Sequence, residues 1–451
     1  MIDRSSLPRP GPERPFAFPQ MLRRRLSNGI DAWTAEQHDV PLVSVIALVR
    51  AGAAFDPPDR PGLAALTADL LDEGCGDLDA LALHETIGRL GAQVDTEVGA
   101  DAALLGLTTL GRFAQPAFRV LADMLAVPRL DEKDFERVRD LRLNRLLQLR
   151  DMPPALAERT FTQRIYGTHP YAHLPIGTEA SLGAMTVEET RAFHSRMYSP
   201  SCVTLIAVGD ATHDQLAALM EEAFGSWQTA TASVALPDPA QTPIAPESSD
   251  RLMLVARAAA PQSELRIGHL AAARSTPDYH ALVALNMVLG GQFVSRINLN
   301  LRERKGYTYG ARTTFDFRRG PGPFVLHASV QSDSTTDAVR EVFAELHAIR
   351  DDRPVTHEEL ELGRATLTRG YPRGFETAEQ IARSIAQLAL YDLPDDYFTK
   401  FVPRVLALTA DDVTQAAVTH LDPSKLVTVI VGDREKIGPL ASLGIGEPRE
   451  V

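Results

Sequence analysis

Two stretches of the chain carry the same pattern of hydrophobic and polar positions. Residues 185–210 align with residues 408–433 without a gap. Each stretch reads as a Thr N-cap, acidic residues, a helix, a Pro-Ser turn and a β-branched strand that ends at Gly-Asp. The identical pairs are Thr186/Thr409, Pro200/Pro423, Ser201/Ser424, Val208/Val431, Gly209/Gly432 and Asp210/Asp433. The pattern indicates one structural unit used twice.

The segments before each copy also follow one another in the same order. An apolar strand pattern spans residues 40–51 in the first half and 265–272 in the second, and alternating strands return at 93–109 and 307–330. Residues 229–250 are rich in Pro, Ala and Ser and lack periodicity, which is typical of a linker or of an ordered surface loop. The sequence therefore predicts a first domain over residues 1–228, a linker over 229–250 and a second domain over 251–451.

The mixture of antiparallel hairpins with pairs of helices predicts an α+β fold. We expect two homologous halves, each with a mixed or antiparallel sheet covered by helices. The composition, with 44% hydrophobic and 23% charged residues, is that of a globular protein with a large core. No apolar run approaches the ~20 residues that a membrane-spanning helix needs.

Charge and cysteine content narrow the choice of partners. The formal net charge of −13 argues against nucleic acid and favours neutral or basic peptides. The two cysteines, Cys75 and Cys202, make neither a disulfide framework nor a CxxC metal pair. Arg and Pro interrupt the first twenty residues, where a signal peptide needs an unbroken apolar region. We therefore expect a cytoplasmic protein, or a periplasmic one if a leader has been removed.

Residues 62–75, with the sequence GLAALTADLLDEGC, resemble the N-terminal domain of the pitrilysin/insulinase family of metallopeptidases. In that family this stretch carries the inverted zinc motif H-x-x-E-H, with two His ligands and a Glu that acts as general base. The motif positions here are Ala65, Ala68 and Asp69, and the position of the third ligand falls on Arg145 or its neighbour Asn144. The resemblance therefore implies no metal in this chain, and we expect Asp69 to pair with Arg145 instead.

The resemblance covers nearly the whole chain and is most specific after residue 281. The family places an Arg at a helix end and a Tyr seven residues later, and these fall on Arg302 and Tyr309. The sequence itself predicts a helix end at residues 299–305, a left-handed Gly306 and a following strand. By the resemblance, Arg302 and Tyr309 hold the scissile carbonyl of a peptide and stabilise its oxyanion. Tyr307 is expected on the same strand face, so it remains the alternative to Tyr309.

These positions imply a non-zinc-binding subunit of a heteromeric metallopeptidase. The resemblance implies a clamshell-shaped heterodimer with a homologous partner that carries the H-x-x-E-H motif and the zinc. Peptides would bind inside as an added β-strand, and this chain would not cut them alone. The alternative is a catalytically silent scaffold or peptide-binding protein of the same fold. An independent zinc peptidase is disfavoured, because Pro170 separates His169 from His173 and no other His/Glu set has suitable spacing.

Overall fold

The computed structural model describes residues 16–228, 238–244 and 250–451. Residues 1–15, most of the segment considered as a leader, lie outside this described part. Residues 229–237 and 245–249 of the predicted linker lie outside it as well.

The first half contains an extended sheet, a short hairpin and a set of helices. Its strands are β1 (Met21–Arg25), β2 (Asp31–Glu36), β3 (Leu42–Val49), β4 (Gly74–Cys75), β5 (Leu78–Asp79), β6 (Gln93–Val98), β7 (Ala103–Leu110) and β8 (Val203–Gly209). Its helices are α1 (Leu63–Asp69), α2 (Ala80–Arg89), α3 (Ala114–Ala126), α4 (Glu132–Arg150), α5 (Pro153–Tyr166), α6 (Glu179–Ala184), α7 (Val187–Met197) and α8 (His213–Phe224).

The second half repeats this arrangement. Its strands are β9 (Leu252–Ala256), β10 (Gln262–Leu270), β11 (Thr308–Phe315), β12 (Pro323–Gln331), β13 (Val427–Gly432) and β14 (Arg449–Glu450). Its helices are α9 (Tyr279–Leu289), α10 (Arg296–Asn298) with a π-helical continuation (Leu299–Arg304), α11 (Thr335–Ala348), α12 (His357–Arg369), α13 (Ala378–Leu390), α14 (Tyr397–Ala407) and α15 (Ala410–His420).

The two sheets have matching topology. The order in the first sheet is β1-β2-β8-β3-β7-β6, and the order in the second is β11-β12-β10-β13-β9-β14. Counted from the β6 edge of the first sheet and from the β11 edge of the second, the first five strands of the two sheets correspond one to one. The repeated strand is central in both sheets: β8 runs parallel to β2 and antiparallel to β3, as β13 does to β9 and β10. Two sheet-plus-helix halves confirm the predicted α+β fold.

The repeated unit forms as the sequence predicts. Thr186 and Thr409 cap α7 and α15 in capping boxes, in which each Thr side chain accepts a backbone N–H from the third helical residue. A 3₁₀ turn then begins at Pro200 and at Pro423, and each leads into its buried central strand. The local signals of both copies therefore select the same helix-turn-strand unit.

Each half covers one face of its sheet with its own helices. The core of the first half joins its sheet to α1, α3, α7 and α8, and the core of the second half joins its sheet to α9, α11 and α15. The opposite sheet faces are covered by helices from the other half. Helix α5 packs its Phe161 and Ile165 against Val429 and Val431 of the second sheet. Helix α13 packs its Ile381 and Ile385 against the first sheet.

This exchange makes each sheet depend on a helix from the other half. Phe161 is 1% exposed, and a Cβ on Gly268 of β10 would lie 3.0 Å from its Cζ atom. The ring therefore packs directly on the backbone of the second sheet. The described part of the linker, residues 238–244, also packs onto this seam, where Ile244 joins the cluster around α5 and Asp238 pairs with Arg319.

Because the halves share these helices, a cavity under α5 should weaken the whole chain. Phe161→Ala is expected to lower the free energy of unfolding by about 3–5 kcal/mol. Urea unfolding followed by tryptophan fluorescence, which reports Trp33 and Trp227 of the first half, and by far-UV circular dichroism should give one coincident transition at a lower midpoint.

The control is Leu81→Ala, which truncates a side chain that is 71% exposed on α2 and should change stability by less than about 0.5 kcal/mol. Two separate transitions in Phe161→Ala, with the fluorescence transition unmoved, would show that the halves fold independently.

Candidate functional site

Helix α1 carries the three positions that the family resemblance assigns to the zinc motif, Ala65, Ala68 and Asp69. Ala65 and Ala68 are 4% and 1% exposed, so both lie in the packed interior. The start of the helix is held by Asp56, whose carboxylate accepts the amide hydrogens of Gly62 at 2.7 Å and Ala64 at 2.6 Å. The helix is therefore fixed at its N-terminus by a carboxylate, although its motif positions carry no metal-binding atoms.

Asp69, the last motif position, forms an ion pair with Arg142 of α4. The predicted pairing with Arg145 is wrong, since Arg145 hydrogen-bonds Gln148 at 3.2 Å. Residues three apart lie on the same side of a helix, and Arg142 is about one turn closer to α1. Only 11% of the Arg142 side chain is exposed, and its other terminal nitrogen donates to the carbonyl of Pro175 at 2.8 Å. A guanidinium therefore occupies the space next to the motif.

The residues around α1 do not fit a zinc ion. Within the described ranges, no group of three or more His, Cys, Asp or Glu side chains is close enough to hold a metal. A zinc site needs about three or four nitrogen, sulfur or oxygen ligands, and Ala65 and Ala68 offer none. Asp69 is the one motif position with a ligand atom, and it is already paired with a cation.

His169 and His173 have structural partners. The Nδ1 atom of His169 accepts the Tyr171 amide hydrogen, and its Nε2 atom lies 3.1 Å from the Thr242 carbonyl. Burial lowers the pKa of His169, which keeps the ring neutral at physiological pH. The Nε2 atom of His173 lies 3.0 Å from the Asp56 carboxylate that caps α1. His173 therefore holds the loop after α5 against the start of α1, and His169 joins the same loop to the linker.

Arg302 lies on the π-helical segment that continues α10. The helix end predicted over residues 299–305 is confirmed. Such segments are rare and occur frequently at functional sites. The guanidinium carbon lies 4.5 Å from the ring centre of Phe293, and Nε lies 3.3 Å from the Glu303 carboxylate. The Arg302 side chain is 37% exposed, and Phe293 and Val294 beside it are 57% and 45% exposed. Arg302 is thus supported by an aromatic face while part of it remains open to solvent.

The turn after Arg302 follows the predicted geometry. Gly306 has a positive φ of 67°, and its amide donates to the Arg302 carbonyl at 3.2 Å. The next amide, of Tyr307, donates to the Leu301 carbonyl at 2.9 Å. Lys305 forms an ion pair of 2.8 Å with Glu341 of α11, which raises the pKa of the lysine and lowers that of the glutamate. These contacts fix the direction in which the chain enters β11.

Tyr309 lies on a β-bulge and is 89% exposed. Thr308 pairs with Val330 and Ala311 pairs with Ala328, so two residues of β11 oppose one residue of β12. The Thr308 hydroxyl stabilises the bulge, because it donates to the Ser329 carbonyl at 2.6 Å and accepts the Gly310 amide hydrogen at 3.1 Å. The bulge turns the Tyr309 side chain into solvent.

Tyr307 differs from Tyr309 in its surroundings. It precedes β11, is partly buried, and packs against the core of the second half. The sequence predicts one strand face for both tyrosines, but Tyr307 lies just before β11, which begins at Thr308, and the two side chains differ in exposure. Tyr309 is therefore the tyrosine that a ligand or partner can reach directly.

Comparison with known proteins places the chain among the peptidases. Residues 33–178 match the family model described as Insulinase (Peptidase family M16), and residues 184–367 match the one described as Peptidase M16 inactive domain. The chain belongs to the M16 peptidase family. The match to the inactive domain runs from the end of the first half into the second half, and the predicted family resemblance is confirmed.

Some relatives of this chain are named as zinc proteases, and others are named as non-peptidase homologues or inactive domains. A protein named as an uncharacterized zinc protease of Mycobacterium tuberculosis is 26% identical over 82% of this chain and 84% of its own length. The non-peptidase homolog YmxG of Helicobacter pylori is 20% identical over 89% of this chain and 91% of its own length. An M16 inactive domain of Pseudomonas fluorescens has the same fold, with a TM-score of 0.84 and 24% identity over 92% of this chain and 98% of that one.

Two features of the site were not visible in the sequence. The bulge at Tyr309 and Gly310 depends on a register shift between strands, and the π-helical turn at Arg302 depends on how the segment packs. Thr308 before Tyr309 and Gly310 was the only local hint, since a Thr hydroxyl can hydrogen-bond the backbone groups that a bulge leaves unpaired.

No helix among residues 16–228, 238–244 and 250–451 combines the length and apolar character needed to cross a bilayer.

The geometry around α1 predicts that the chain binds no zinc tightly. Elemental analysis of protein purified without chelator should give less than about 0.1 zinc per chain, since Ala65 and Ala68 supply no ligand. Excess EDTA should leave the midpoint of thermal unfolding unchanged. One zinc per chain that survives dialysis, together with a lower midpoint in EDTA, would contradict the assignment.

Proposed function

We propose that this chain is the non-zinc-binding subunit of a heteromeric zinc metallopeptidase, to which it contributes Arg302 and Tyr309. The observation that carries the proposal is the presentation of these two groups: a guanidinium supported on Phe293 and a phenol placed in solvent by a bulge. The partner is a homologous subunit with an intact zinc motif. It supplies the metal, the general base and the attacking water, and this chain does not cleave peptides alone.

Two donors of this kind suit the chemistry of peptide hydrolysis. Attack of water on the scissile carbonyl places negative charge on its oxygen, and donors fixed in advance stabilise that charge more than the neutral carbonyl. The Arg302 guanidinium offers several N–H groups, and the Tyr309 hydroxyl offers one O–H group. Neither group is buried in the chain, so both can reach a carbonyl held at the partner's zinc.

The exposed apolar side chains next to Arg302 support a partner at this surface. A Phe that is 57% exposed and a neighbouring Val that is 45% exposed are costly to leave in water. Tyr309 adds an aromatic ring that is exposed to solvent along nearly its whole surface. Aromatic and Arg side chains are the residues that contribute most to binding at protein interfaces. A partner or peptide that covers this surface would therefore bury apolar area and, at the same time, remove water from Arg302.

A second function, a catalytically silent peptide-binding protein, is favoured by one observation. Strand β6 lies at the edge of the first sheet and, in the described part of the chain, forms backbone hydrogen bonds with β7 alone. The corresponding edge strand β11 is partly covered, because the amides of Ala311 and Thr313 donate to Asn298 and to the Gly290 carbonyl. An open edge can accept an extended peptide as an added strand.

The decisive experiment compares peptide cleavage by this chain, by its zinc-motif homologue from the same source, and by their mixture. A fluorogenic peptide should be cut rapidly by the mixture alone. In the mixture, Arg302→Ala should lower kcat by roughly 10²–10³-fold, as loss of one oxyanion donor does. Tyr309→Phe should also lower kcat, because the hydroxyl is removed while the ring remains.

The chain provides matched controls for both variants. Arg304→Ala removes an exposed guanidinium from the same helical segment, and Tyr307→Phe removes a hydroxyl two residues away. Both should leave kcat close to that of the unmodified mixture. If mixing never changes the activity of the homologue, the proposal fails. In that case, if this chain alone binds peptides and Arg302→Ala leaves the binding unchanged, the result would support a catalytically silent binding protein.

A further inference from the structure

A cavity of about 690 Å³ lies at the seam between the two halves. Its walls come from the first sheet at Leu48 and Leu104, from Phe315 at the end of β11 and Phe317 just after it, and from Gln387 on α13. The volume is that of an ordinary small-molecule site. Arg302 and Tyr309 do not line it, so this cavity is separate from the site of the proposed function.

Arg274 lines this cavity and is 6% exposed. Its guanidinium carbon lies 3.6 Å from the ring centre of Tyr279 and 4.7 Å from that of Tyr397. Within the described residues it forms no ion pair with a carboxylate. A buried cation without a counterion is unfavourable, and ring faces replace only part of the hydration that it loses. The position therefore suits an anion that enters from the cavity.

The carboxylates that line the cavity are engaged by other groups. Asp316 pairs with Arg318 at 2.8 Å, and Glu97 pairs with Arg383 at 3.0 Å. Asp101 is 7% exposed and accepts hydrogen bonds from the Tyr171 hydroxyl and from the backbone amide of Arg319.

We propose that the cavity binds a small organic carboxylate that carries an aromatic or apolar group. The carboxylate pairs with the Arg274 guanidinium, and the apolar group packs among Tyr279, Phe315 and Phe317. A charge-assisted pair with a buried guanidinium is strong, and the aromatic walls select against small inorganic anions. Two sources share this chemistry: the C-terminal residue of a peptide and a free aromatic acid.

Calorimetric titration of the full chain with N-acetylphenylalanine tests the proposal, with N-acetylphenylalaninamide as the neutral analogue. The acid should bind, and the amide should bind at least about tenfold more weakly because it lacks the charge. Arg274→Gln should weaken binding of the acid at least about tenfold, with its fold checked by circular dichroism.

A second variant keeps the test decisive if Arg274→Gln does not fold. Gln387 is exposed on α13 and lines the cavity, so Gln387→Glu places a negative charge beside the site without touching the core. It should weaken binding of the acid and leave binding of the amide unchanged. The matched control is Gln415→Glu, which adds the same charge at an exposed position of α15 that does not line the cavity.

The source of the carboxylate is settled by titrating Gly-Gly-Phe with a free and with an amidated C-terminus. Tighter binding of the free tripeptide than of N-acetylphenylalanine identifies a peptide C-terminus as the ligand. Binding of the N-acetyl acid without the tripeptide identifies a free organic acid. Equal binding of acid and amide, or no binding of either up to about 10 mM, would overturn the proposal.

Discussion

The reciprocal packing of α5 and α13 is the constraint on which the rest of the structure depends. Each helix belongs to one half and covers the open sheet face of the other. A six-stranded sheet that is apolar on both faces cannot remain stable with one face in water, so neither half can complete its core alone. The two halves therefore behave as one body, and the seam between them provides both the buried Arg274 and the cavity beside it.

This arrangement explains how the chain keeps an M16 fold without an M16 metal site. The motif helix α1 contributes Leu63, Ala64 and Leu66 to the first core, and Asp56 holds its start. Asp69, the one motif position with a possible ligand atom, forms an ion pair with Arg142. The first half has kept its structural role, since its α5 is needed by the second half, which carries Arg302 and Tyr309.

Much of the fold follows from the sequence because its signals are local. The repeat, the Thr caps of α7 and α15 and the left-handed Gly306 each depend on neighbouring residues, and the structure contains them all. Contacts between elements that are distant in the sequence could not be predicted from it. The apolar positions of α5 predict a buried face without indicating which sheet it covers. The choice of Arg142 over Arg145 depends on the height of α4 relative to α1, and the exposure of Tyr309 depends on one register shift against β12.

Differential binding to the mixed subunits measures directly whether Arg302 acts, as proposed, on the charge that develops on the scissile carbonyl. A phosphinic peptide resembles the tetrahedral oxyanion, whereas an uncleaved peptide of the same sequence resembles the ground state. Arg302→Ala should weaken inhibition by the phosphinic peptide by roughly 10²-fold and weaken binding of the plain peptide far less. Equal loss for both ligands, or no loss for either, would contradict a role for Arg302 in stabilising the oxyanion.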